Sequence, residues 1–131
     1  MNKIRFLYSI VLLSFLGFAQ QKSADSLMQV LGKTKNDIDK TNLLNAISDS
    51  YKVVDPKKMF VYGSQALDLA KKINYTIAQG NAYLNLGNSK IIEGDYKAAI
   101  NYFQQAQEIF ENENPTPNTK DEIASGLAKS Y

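Results

Sequence analysis

The sequence predicts an all-α fold, and two observations support this prediction. Apolar and small residues recur three and four positions apart along most of the chain, which places them on one face of a helix. Only 3 of the 131 residues are proline, and good helix formers such as alanine, leucine, lysine and glutamine are plentiful. No segment shows the period of two that is typical of a strand. We therefore expect helices over residues 24–32, 38–53, 56–73, 75–92, 96–112 and 119–130.

The N-terminus predicts an export signal. Lys3 and Arg5 precede an apolar run of about 13 residues that ends beside the small residues Gly17 and Ala19. This order is typical of a secretory signal peptide, and the run is shorter than the roughly 20 residues of a membrane-spanning helix. We expect cleavage after Ala19, no membrane span in the mature chain, and an extracytoplasmic location, either periplasmic or secreted. An uncleaved N-terminal anchor is the alternative.

Charge and composition exclude several classes of function. The chain has 15 basic and 13 acidic residues; removal of residues 1–19 takes away Lys3 and Arg5 and leaves 13 of each. A mature chain without net charge offers no basic surface for nucleic acid. Cysteine and histidine are both absent, which excludes disulfides, thiolate chemistry and the usual zinc ligands. We therefore predict no catalytic, cofactor-binding or metal-binding residues, and a protein that is not an enzyme.

The segment 20–40 is expected to hold one short helix and a linker. Apolar residues within 24–32 fit a helix that Gly32 ends. Asp37 and Asp39 favour the start of the next helix, because acidic side chains interact well with the N-terminal end of the helix dipole.

Residues 41–74 read as a first pair of helices. The turn between them is expected at Asp55-Pro56, since proline at the first helical position lacks only an N–H that would have no partner there. The positions that would form the contact between the two helices follow helical spacing: Leu44, Ile47, Ser48, Tyr51, Met59, Gly63 and Ala66.

Residues 80–113 repeat this pattern about 40 positions later and show it most clearly. Gly94-Asp95 marks the turn, because glycine accepts the left-handed conformation after a helix and aspartate is a favoured N-cap. Gly87 lies inside the first helix at a cost of about 1 kcal/mol relative to alanine, which predicts close approach of the second helix. The predicted packing residues of this pair are Tyr83, Leu86, Gly87, Ala99, Phe103 and Ala106.

A third, incomplete copy begins near residue 121. Ala124, Leu127, Ala128 and Tyr131 take the positions of Tyr83, Leu86, Gly87 and Lys90. Because a repeat cannot bury its apolar face alone, the sequence predicts self-association through this end of the chain.

These residues resemble the tetratricopeptide repeat (TPR), a pair of antiparallel helices with small residues at their contact. The resemblance implies a right-handed solenoid of helical hairpins over residues 41–131, with repeats at 41–74, 80–113 and 121–131. The spacing near 40 exceeds the 34 residues usual for the family. Lys90 and Glu111 stand where the family usually has tyrosine and proline, so the resemblance does not define where the last complete helix ends.

The family binds proteins or peptides in a concave groove lined by the first helix of each repeat, so the resemblance implies a non-catalytic binding scaffold. An asparagine amide offers both a donor and an acceptor to a peptide backbone; the alternative is that asparagine is simply tolerated at exposed helix positions. The candidate groove residues are Asn42, Asn45, Asp49, Asn81, Leu84, Asn85 and Asn88.

A second resemblance concerns biological context. Gln65-Ala66-Leu67-Asp68-Leu69-Ala70 behind a signal peptide is similar to the N-terminal TPR regions of sensor and regulatory proteins of Bacteroidetes. That resemblance implies the alternative function, the sensory region of a membrane-bound signalling protein with a histidine kinase or DNA-binding output domain.

Overall fold

A computed structural model describes residues 23–113 of the chain. These residues are almost entirely helical and contain no strand, which confirms the all-α prediction. The helices are α1 (23–33), α2 (Asp37–Ser50), α3 (Pro56–Lys72), α4 (Thr76–Glu93) and α5 (Tyr96–Glu113). The predicted signal peptide at 1–19 and the predicted third repeat at 121–131 lie outside the described residues.

Helix α2 begins one residue earlier than expected and ends three residues earlier. Asn36 is its N-cap, and the Asn36 Oδ1 atom accepts hydrogen bonds from the backbone N–H groups of Ile38 and Asp39 at 2.8 and 3.2 Å. The chain leaves the helix after Ser50, where the carbonyl of Tyr51 accepts the N–H group of Asp55 at 2.8 Å. This turn replaces the last helical residues that the sequence predicted.

Both predicted turns within the helix pairs are confirmed. Asp55 caps α3 by accepting from the N–H groups of the second and third helical residues, with Pro56 at the first position. Gly94 ends α4 in the left-handed conformation at φ 81°. Asp95 follows it, and its carboxylate accepts the N–H of Ala98 at 3.1 Å. Both turns are therefore defined by capping groups that are neighbours in the sequence.

From α2 to α5, each helix packs on the next one in the chain, and α2 also contacts α4. Two groups of buried apolar side chains form the core. The group between α2, α3 and α4 consists of Leu44, Ala66, Leu67, Ala82 and Leu86. The group beneath α1 consists of Ala24, Ile47, Tyr51 and Met59. Helix α1 therefore covers the N-terminal side of the α2–α3 pair, and α4 covers its C-terminal side.

Helices α4 and α5 approach closely at two glycines. A Cβ atom built on Gly80 would lie 2.6 Å from the ring of Phe110, and one built on Gly87 would lie 2.5 Å from the ring of Phe103. The two glycines are seven residues apart, so they lie on one side of α4. Each phenyl ring thus occupies the space that a larger residue on α4 would need.

Candidate functional site

The residues predicted to pack the second helix pair lie inside the structure. Leu86, Gly87, Ala99 and Ala106 are buried, and Tyr83 and Phe103 are half-buried. The Tyr83 ring lies 6.3 Å from that of Tyr102, centroid to centroid.

Two asparagines connect α2 to α4. The Asn45 Nδ2 atom donates to the carbonyl oxygen of Ala78 at 3.1 Å. The Asn85 Nδ2 atom donates to the Asn45 carbonyl at 3.1 Å and to Asn45 Oδ1 at 3.4 Å. Asn45 is 9% exposed and Asn85 is 7% exposed. Their amides therefore join two helices whose contacting residues are 40 positions apart in the sequence.

This arrangement differs from the expected open groove at these two positions. Because α2 and α4 are in direct contact, the amides of Asn45 and Asn85 are engaged in the interface between the helices. A buried amide without partners is unfavourable, so these hydrogen bonds also fix how the two helices are aligned. The two residues form the base of the candidate surface and are not exposed to a ligand.

The other polar candidates border this interface. Asn42 and Asp49 lie three residues before and four residues after Asn45, and Asn81 and Asn88 lie four residues before and three residues after Asn85. Residues at these spacings share one side of a helix. Asn42, Asp49 and Asn81 are exposed, and Asn88 is half-buried. We refer to these four side chains, Asn42, Asp49, Asn81 and Asn88, as the polar face.

Leu84 lies on α4 between the polar face and the contact with α5, three residues after Asn81 and four before Asn88. It is also four residues after Gly80 and three before Gly87, the two positions that contact the phenyl rings of α5, so it also borders α5. Its side chain is 38% exposed. Leu84 therefore adjoins both the candidate asparagines of α4 and the exposed apolar side chains at the edge of the α4–α5 pair.

A cluster of a lysine and aromatic rings joins α3, α4 and α5, and only part of it could be read from the sequence. The Lys90 ammonium lies 4.3 Å from the centroid of the Phe60 ring, and that ring meets Tyr102 edge-on at 6.3 Å. Lys90 also donates to Glu93 at 2.7 Å, and this hydrogen bond raises the pKa of Lys90 above its usual value. The i, i+3 spacing of Lys90 and Glu93 was visible in the sequence, but the contact with Phe60 was not.

Neither a candidate metal centre nor a membrane-spanning helix is found in the described part of the chain. Within 23–113, no group of three or more acidic, histidine or cysteine side chains is arranged to hold a metal ion. None of the helices in that range combines the length and the apolar character that crossing a bilayer requires.

An open groove lies between α1 and α2, beside Asn42 of the polar face. Its lining residues are Val30, Thr34, Asp39, Asn42, Leu43 and Ala46.

Comparison with known proteins gives no match: no family model fits the chain, and neither a curated protein nor a solved structure is significantly similar to it.

Proposed function

We propose that this chain is a non-catalytic binding module, a TPR-like right-handed solenoid that docks an extended peptide segment of a partner protein on its polar face. The observation that supports this proposal most directly is the contact of Asn45 with Asn85. That contact sets α2 beside α4, and the polar side chains of the proposed surface lie three or four residues from it on each helix.

The chemistry of the polar face suits a peptide backbone. Three of its four members are asparagines, and each amide both donates and accepts hydrogen bonds, as a peptide group does. The fourth, Asp49, is paired with Lys52 at 3.4 Å on the surface, where such a pair contributes little to stability and can be exchanged for a ligand. An aspartate here disfavours an acidic ligand, so a peptide recognised through its C-terminal carboxylate is a poor candidate.

The location of the module is proposed from the N-terminal segment alone. A basic start followed by a short apolar run predicts export, and binding would then occur in the periplasm or outside the cell. The alternative function is the sensory region of a membrane-bound signalling protein, which the resemblance to exported repeat regions of Bacteroidetes favours. A reading frame that continues beyond Tyr131 into a membrane helix would support this alternative.

The proposal can be tested with a peptide selected from a displayed library of extended sequences on the chain without residues 1–19. In an isotope-labelled sample, the selected peptide should shift the side-chain amide signals of Asn42, Asn81 and Asn88. The double variant N81A/N88A should bind it about tenfold more weakly, because each lost hydrogen bond is worth about 0.5–1.5 kcal/mol.

The matched control is Q105A, which removes an exposed amide from α5 at a position away from the polar face. This variant should bind as tightly as the parent chain. A library that yields no binder, or a peptide whose affinity falls equally in N81A/N88A and Q105A, would contradict the proposal.

A further inference from the structure

The C-terminal edge of the α4–α5 pair carries an unusual concentration of exposed apolar side chains, which we call the apolar face. Its members are Leu84, Ile91, Tyr96 and Ile100, which are 38%, 41%, 63% and 54% exposed. Leu84 and Ile91 are seven residues apart on α4, and Tyr96 and Ile100 are four apart on α5, so each pair shares a side of its helix. Adjoining apolar residues of this size usually mark a surface that something covers.

The first helix pair shows how the chain closes an equivalent surface. Asn45 bonds to α4 through the Ala78 carbonyl, and Phe60 packs on the core group that α4 helps to form. In the second repeat, Leu84 corresponds to Asn45 at an offset of 39 positions, and Ile100 corresponds to Phe60 at an offset of 40 positions. Helix α4 therefore covers Asn45 and Phe60 on the first pair. Their counterparts on the second pair, Leu84 and Ile100, are exposed within the described part of the chain.

Apart from Lys90, whose ammonium lies over the Phe60 ring, the α4 side chains on this side of the helix are uncharged. They are Ala78, Ala82, Asn85, Leu86 and Ser89, and each of them is buried. The sequence repeats this stripe 41 positions later with another uncharged set, Thr119, Ile123, Gly126, Leu127 and Ser130. The charged residues of that segment, Lys120, Asp121, Glu122 and Lys129, all fall between the members of the stripe.

We propose that residues 119–131 of the same chain cover Leu84 and Ile100 of the apolar face, packing on α4–α5 as α4 packs on α2–α3. The connection is long enough, since residues 114–118 lie between α5 and this segment, and only residues 73–75 connect α3 to α4. The proposal rests on the equivalence of the repeats and does not require that any peptide binds.

The chain has no cysteine, so paired cysteines can test this contact without background. A Cβ atom built on Gly63 lies 3.5 Å from the Cβ atom of Asn85, within the range of a disulfide. The counterparts of these residues in the next repeat are Phe103 and Gly126. The full chain carrying F103C/G126C should therefore form an intramolecular disulfide on mild oxidation, as the reference variant G63C/N85C should.

Two further variants make the result interpretable. Because Phe103 also packs against Gly87, the pair I100C/I123C leaves that contact intact and is joined with a short bismaleimide. The matched control is E108C/G126C: Glu108 is exposed and lies five residues after Phe103, about 140° around the helix. The control should form its intramolecular disulfide about tenfold less readily, because its thiols have a lower effective concentration.

Intramolecular cross-links in F103C/G126C and I100C/I123C, with far less in the control, would support the proposal. Cross-linked dimers together with concentration-dependent sedimentation would overturn it in favour of a second copy of the chain on the apolar face. Yields that do not exceed the control in either variant would also overturn it and leave a separate partner protein as the occupant. If the cross-links form but no peptide binds the polar face, only the proposed binding function fails.

Discussion

The ring of Phe103 occupies the place where a side chain on Gly87 would begin. A Cβ atom at Gly87 would lie 2.5 Å from Cε1 of that ring, closer than real Cβ contacts come. Gly80 and Phe110 repeat the relationship at 2.6 Å one heptad earlier on α4. Two glycine–phenylalanine contacts thus set the distance between α4 and α5, and the apolar face depends on that distance because both helices contribute to it.

The substitution G87L tests this packing. Leucine needs space that the Phe103 ring fills, and overpacking of this kind destabilises by about 1–3 kcal/mol. Urea unfolding followed by circular dichroism should show this loss. The matched control is G32A, because a Cβ atom at Gly32 has nothing within 4 Å and alanine improves helix propensity by up to about 1 kcal/mol. Equal stability of the two variants would contradict a packing role for Gly87.

The hydrogen bonds of Asn85 to Asn45 predict a strong effect of N85D. The new carboxylate would be buried opposite two oxygen acceptors of Asn45, where it cannot donate and is poorly solvated. We expect a loss of about 1–3 kcal/mol at pH 7, as for a buried polar group that loses its partner. N81D is the matched control, because Asn81 lies one turn earlier on α4 and is exposed.

The effect of N85D should also depend on pH. Burial and the facing acceptors favour the protonated acid, so the pKa of the introduced carboxyl group should rise in the folded state above its unfolded value of about 3.9. The folded state then binds the proton more tightly, and the lost stability should return as the pH falls towards 4. N81D should show no such recovery. A pH-independent loss in N85D would argue against an Asn85 amide that donates to both oxygens of Asn45.

Two buried serines predict opposite results for the same substitution. The Ser48 hydroxyl donates to the carbonyl of Met59 at 2.6 Å, whereas the Ser89 hydroxyl is buried and has no hydrogen-bond partner within residues 23–113. S48A should lower the unfolding free energy by about 0.5–1.5 kcal/mol. S89A should leave stability unchanged or raise it, because it removes an unpaired hydroxyl and alanine has the better helix propensity. Thermal unfolding of the two variants side by side measures the difference, and a larger loss in S89A would refute this account.

The sequence predicted the helices well where their ends are determined locally. Asp55-Pro56 and Gly94-Asp95 carry their capping signals within a few residues, and the structure places the turns there. The end of α2 was predicted too late because Tyr51 continues the apolar spacing of the helix. Tyr51 is indeed buried, but its carbonyl accepts the N–H groups of Val54 and Asp55 in a turn. An apolar pattern identifies the buried side of a segment and not the residue where the helix stops.

The candidate site was less predictable because it depends on contacts between distant helices. Asn45 and Asn81 look alike in the sequence, yet Asn45 is buried against α4 and Asn81 is exposed. Which asparagine faces a neighbouring helix depends on how α2 and α4 are rotated about their own axes. A local sequence pattern does not determine that rotation. The contact of Lys90 with Phe60 could not be predicted from the sequence for the same reason, because the two residues belong to different helices.

Gly94 offers a test of the turn that positions α5. Its φ of 81° is left-handed, and no atom lies within 4 Å of a Cβ atom built there, so a substitution affects the backbone conformation alone. G94A should destabilise by about 1–2 kcal/mol, because an L-residue with a Cβ atom is strained in this conformation. G94N should lose less, since asparagine tolerates the left-handed region. Urea unfolding of both variants measures the effect, and equal losses would mean that the strain of the turn does not lie in the conformation of this residue.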